Sequence, residues 1–193
     1  MLINKAKSVD TVGADVKKGN STSNRLKGGG IFTVRCHDKE GNLKWESKSH
    51  NLVVNVGLAD MNTRYFKGSG YTAAWYLGVY GPASSNNPSS SDTMASHAGW
   101  TEVTAYSNAT RPAATFGAAT TADPSVIANS AAPAQFLINA SANVGGAFLT
   151  SGDSPGGTSG TLFSASDFAA PGDRVVQNGD VLSVTYTFSL DAA

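Results

Sequence analysis

Cysteine is almost absent: Cys36 stands alone among 193 residues, so no intramolecular disulfide can staple the fold. A solitary cysteine in a short alternating run reads as a small, buried strand residue. Long apolar runs are also missing. None approaches the ~20 residues that cross a bilayer, and the first residues lack the apolar segment of a secretory signal. Together these absences predict a protein made in a cytoplasm, with no membrane partner. Charge is sparse as well, at 15% of residues, below the usual share for a soluble chain. Catalytic signatures are missing: there is no P-loop, no GxGxxG after a strand and no GxSxG elbow. The histidines His37, His50 and His97 fall in no paired spacing, and Cys36 and His37 would point to opposite faces of one strand. We therefore expect no metal, no cofactor and no enzyme. Asp153, Asp167, Asp173 and Asp180 read as loop and turn residues, where Asp serves to cap backbone groups.

The clearest positive signal is the end of the chain. After the turn dipeptide Asn178-Gly179, Leu182, Val184, Tyr186, Phe188 and Leu190 alternate with Ser183, Thr185, Thr187 and Ser189. A period of two with β-formers on the apolar positions predicts a strand covered on one face, with Phe188 pointing inward. Ile31 to His37 alternates in the same way. Asp38 to Asn42 reads as a hairpin connection, with Gly41 free to take positive φ, and Leu43 to Ser47 returns. Leu52, Val54 and Val56 start another strand. The spacing of Leu58, Met61, Asn62 and Tyr65 then predicts a short helix over 56–66, capped by Asn55.

Further strands are predicted at 73–80, 100–106, 113–116, 135–139, 146–149 and 161–168, and at Val175-Val176. A single helical turn capped by Asp92 is expected through Met94 and Ala95. Gly81 to Ser91 and Ser151 to Gly160 read as loops, the latter turning at Ser154-Pro155-Gly156-Gly157. Many short strands between turns predict an all-β fold: an antiparallel β-sandwich or jelly-roll-like body over 30–193 with one short helix.

Residues 1–29 read differently. Their large apolar residues are only Leu2, Ile3, Val9, Val12, Val16 and Leu26, and Gly28-Gly29-Gly30 reads as a hinge. We expect an extended basic arm that orders against a partner surface. The net charge of the whole chain is zero, yet residues 1–48 carry ten basic and five acidic residues, and residues 49–193 carry four and nine. Such a basic segment on an acidic body suits nucleic acid, an acidic protein surface or plain solvation. Aromatics are absent from residues 1–30, which removes the stacking platform that single strands use. We favour a protein surface over nucleic acid, with Lys5, Lys7, Lys17, Lys18, Arg25 and Lys27 as the partner-binding residues.

Several segments carry a family resemblance. Asn51-Leu52-Val53-Val54-Asn55-Val56-Gly57-Leu58 resembles the segment that opens a helix in structural proteins of tailed bacteriophages. Trp75 to Gly81, followed by a Ser/Asn/Pro loop and Asp92-Thr93-Met94, is similar to another stretch of that group. So are Gly99 to Tyr106 followed by Arg111-Pro112, and the segments Gly145 to Leu149, Gly160 to Ser164 and Gly179 to Val184. The resemblance runs in order over residues 50–190. It implies a non-enzymatic virion component with a β-sandwich fold, made in a bacterial host. Within it two roles compete. One is a decoration (cement) protein on the outer capsid surface, a homotrimer contacting the major capsid protein and copies of itself. The other is a receptor- or glycan-binding module of a fibre, collar or tail. The basic arm departs from a simple fibre tip and suits a cement protein that clasps capsid subunits.

Overall fold

A computed structural model describes residues 26–68, 70, 74–81 and 88–192. The predicted fold class is the observed one: a mainly β sandwich of antiparallel sheets, with one helix among the described residues. The first sheet is built on β1 (Lys27–His37) and β11 (Val181–Asp191), which pair from Lys27↔Asp191 to His37↔Val181. The outer neighbour of β1 is β2 (Leu43–His50), joined to it through the predicted Asp38–Asn42 connection, where Gly41 has φ 88°. Two short strands share the other edge of β11. The first, β5 (Ser125–Ala128), pairs with Thr187 to Leu190, and β6 (Ala134–Leu137) pairs with Val181 to Val184. The gap between them is closed by a side chain. Asn129 is fully buried; its Oδ1 accepts the Tyr186 N–H at 2.7 Å and its Nδ2 donates to the Val184 carbonyl at 3.2 Å.

The second sheet has the order β3 (Leu52–Val53), β9 (Leu162–Asp167), β8 (Gly146–Thr150), β4 (Tyr76–Tyr80). A small ribbon of β7 (Ala142–Val144) and β10 (Arg174–Val176) closes one end. Alternation of side chains sends Phe32, Val34, Leu182, Val184 and Tyr186 from the first sheet against Leu77, Val79, Ala147 and Leu149 from the second. Their burial removes about 1.5–3 kcal/mol worth of apolar surface from water per large side chain.

The second sheet is buried on both faces. Its outer face places Tyr80, Phe148, Leu162 and Ala165 under Met94, Trp100 and Val54. Two glycines make this layer fit. A Cβ on Gly78 would lie 2.0 Å from the Phe148 ring, and one on Gly146 would lie 2.0 Å from the Tyr80 ring. At the edge of the sheet runs α1 (Asn55–Lys67), where a Cβ on Gly57 would lie 2.4 Å from the Phe163 carbonyl oxygen.

Several expectations need correction. Gly28-Gly29-Gly30 is no hinge: all three residues belong to β1, opposite Leu190, Ser189 and Phe188, so ordered strand starts at Lys27. Asn55 is the first residue of α1 and not its cap; the chain enters through Val54 without a side-chain cap. Asp92 starts no helical turn. It accepts the Ser89 N–H and the Trp100 indole N–H, both at 3.0 Å, beside a tight Thr93–Ser96 bridge. The 100–106 and 113–116 segments are extended chain bound by isolated bridges, Tyr80↔Glu102, Tyr106↔Ile138 and Tyr76↔Ala113, and not strands. Phe188 packs inward against the core in the expected phase but is only half-buried.

Candidate partner-binding surface

Of the six basic residues expected to bind a partner, Lys5, Lys7, Lys17, Lys18 and Arg25 lie outside the described residues. Lys27 begins β1 opposite Asp191 at the sheet's end. The remaining basic residues of the N-terminal quarter sit on the β1–β2 hairpin, where acids partner most of them. Arg35 bonds Glu46 at 2.5 Å, Lys48 lies 3.5 Å from the same carboxylate and Lys39 lies 3.7 Å from Glu40. These pairs are largely exposed and each adds at most ~1 kcal/mol. Arg35 holds Glu46 below the usual carboxylate range.

Lys44 is different. Its ammonium lies 2.6 Å from the buried Asp180 carboxylate, which also accepts the Gln177 N–H at 2.8 Å. Burial, the largest influence, pushes the Asp180 pKa up; Lys44 and the backbone N–H outweigh it and bring it below the ordinary value. Burial, with Asp180 beside it, pushes the Cys36 thiol up to about 12, which makes it a poor nucleophile. These basic residues of the hairpin are thus paired, Arg35, Lys39 and Lys48 within the hairpin and Lys44 with Asp180. Residues 1–25 carry five basic residues and two acids.

Next to the point where β1 begins, the surface turns apolar. A groove of about 520 Å³ opens between the last turns of α1, the end of β11 and β5. Phe116, Ile127, Phe188 and Leu190 line its sheet side, Trp75 and Phe163 its floor, and Met61, Tyr65 and Phe66 its helix side. Leu26 stands in its wall, 67% exposed. Tyr65 and Phe66 are 83% and 78% exposed and meet edge to face at 5.0 Å. Exposed aromatics beside a deep apolar groove mark an interaction surface. The sequence signal for it was faint: Tyr65 fitted the helix face, while Phe66 fell off that stripe.

Among the described residues no comparable chemical site emerges. The buried ionic centre is Arg111, whose guanidinium bonds both Glu102 carboxylate oxygens at 2.8 and 2.7 Å and the carbonyls of Gly152 and Gly157 at 2.8 and 2.9 Å. Glu102 also accepts the Gly156 N–H at 2.7 Å. Every partner is a loop group that this clasp holds in place, so the arrangement reads as structural. Asp167 lies on β9 and not in a loop, and accepts the Tyr80 hydroxyl at 3.2 Å. His37 and His50 end different strands, and His97 stacks on Trp100 at 3.7 Å. Among the described residues no group of three or more His, Cys, Asp and Glu is placed to hold a metal ion, and no helix is long and apolar enough to cross a membrane. Comparison with known proteins finds no matching family model, no matching curated protein and no matching solved structure.

Proposed function

We propose that this protein is a capsid decoration protein of a tailed bacteriophage, which binds the outer head surface, contacts the major capsid protein through its N-terminal arm, and stabilises the shell by adding buried interface. The observation that carries the reading is where the phage-like segments fall. Gly57 meets Phe163, Gly78 meets Phe148, and Arg111 clasps Glu102. Asn51 accepts the Gly30 N–H and donates to the Tyr186 hydroxyl at 2.7 Å, tying β1 to β11. The resemblance thus rests on framework positions, which supports common architecture, and architecture is what a cement protein supplies. The five basic residues within 1–25 add a grip suited to an acidic protein surface. Binding that favours the assembled shell stabilises it by mass action, without catalysis.

The test is decoration of undecorated heads by full-length protein and by a variant in which Lys5, Lys7, Lys17, Lys18 and Arg25 are changed to Gln. The variant removes no group of the described core, so it should fold, and its binding to heads should fall sharply and lose its salt dependence. Undiminished decoration would refute the grip. The alternative role, a fibre, collar or tail module that binds a receptor or glycan, draws support from the exposed Tyr65–Phe66 pair, because aromatic faces also serve glycan recognition.

A further inference from the structure

We propose that the apolar groove between α1 and β11 is the seat of the chain's own residues 1–25, filled by Val9, Val12 and Val16. Three observations lead there. The groove is too apolar to be left to water: it exposes the edges of Trp75, Phe116 and Phe188 and continues onto Tyr65 and Phe66. The chain enters the described fold in that same wall, through Leu26. Everything N-terminal to Leu26 therefore starts at the mouth of the groove. The preceding segment carries large apolar side chains of its own: Leu2, Ile3, Val9, Val12 and Val16.

Tethering decides between occupants. Val16 is ten residues from Leu26, a span that reaches about 33 Å when extended, so the groove lies within its reach. A segment joined by so short a link faces the groove at an effective concentration of the order of millimolar. A second copy of the chain at micromolar concentration competes poorly with that. Seating the valines leaves Lys17, Lys18 and Arg25 free to face outward, so the inference goes beyond the capsid reading and does not depend on it.

The experiment uses isolated full-length protein without heads. Trypsin cleavage after Lys17 and Lys18 is timed in the wild type, in Val9→Ser/Val12→Ser/Val16→Ser, and in Tyr65→Ser/Phe66→Ser. Thermal melts of the body confirm that both variants fold. The first variant changes only the segment and the second only exposed groove residues. Both should be cut at least about tenfold faster than the wild type, since each loses apolar burial. Wild-type protection should persist on dilution below about 1 µM, as an intramolecular contact requires. Equal cleavage of all three proteins would overturn the proposal. Protection that vanishes on dilution would overturn it as well, because the occupant would then be a neighbouring copy.

Discussion

At the residue scale the fold depends on a few polar side chains placed where apolar ones would be expected. Arg111 is fully buried, and its charge is tolerable because Glu102 and two loop carbonyls absorb every donor direction it uses. Arg111→Ala leaves Glu102 buried without its cation and frees the 151–160 loop. A loss of about 3–5 kcal/mol is expected in denaturant unfolding. Two carboxylates set opposite pH dependences. Asp180 is held below its ordinary 3.8 by Lys44 and the Gln177 N–H despite burial. Its stabilisation is therefore present above 3.8 and is lost as the pH falls through its lowered folded value. Asp180→Asn should melt lower than wild type at neutral pH and converge with it in strong acid, below the lowered folded value. Asp167 is raised by burial, with Asp173 adding to the effect and the Tyr80 hydroxyl opposing it. The folded state then holds that proton more tightly than the unfolded chain, so stability falls as the pH rises through the raised value. Asp167→Asn should raise the melting temperature at neutral pH and change little in acid.

At the element scale the final strand is the axis of the first sheet, and its sequence announced it. Strict alternation from Leu182 to Leu190 was enough, because Leu182, Val184 and Tyr186 meet the same core and Phe188 packs against it. What alternation could not show is how β11 finds partners on its second edge. The strand β5 has no period of its own, being four residues long; its conformation comes from the neighbour it pairs with. Nor could it show Asn129, a polar residue in a small-residue stretch whose role exists only once β5 and β6 divide one edge. Asn129→Ala strips the buried Tyr186 N–H of its acceptor and should cost about 1–3 kcal/mol by thermal or denaturant melts. Glycine offers a paired test. Gly78→Ala forces a methyl into the Phe148 ring, which is also in contact with Trp100 and Arg111. It should destabilise by about 1–3 kcal/mol or abolish folding. Gly29→Ala meets nothing within 4 Å and should be neutral or slightly stabilising. The arm hinge read from Gly28-Gly29-Gly30 failed for a related reason: composition signals freedom, but a ladder to β11 removes it.

At the scale of the whole molecule the design is a body of two packed sheets with an apolar groove beside the start of β1. The groove was nearly invisible in the sequence, since its walls come from residues near 26, 61–66, 75, 116, 127 and 188. Only the fold brings them together. The net charge of the N-terminal segment was legible, whereas the partner of Lys44 was not, because Asp180 lies far along the chain. If the body serves by adding interface to a shell, heads lacking it should assemble yet release DNA at lower temperature than decorated heads.

The most direct measurement is the number of copies per virion, obtained by quantitative mass spectrometry against the major capsid protein. A decoration protein covering the shell predicts hundreds of copies, in a fixed ratio to the capsid subunit. A few tens of copies or fewer would contradict that account and assign the protein to a fibre, collar or tail.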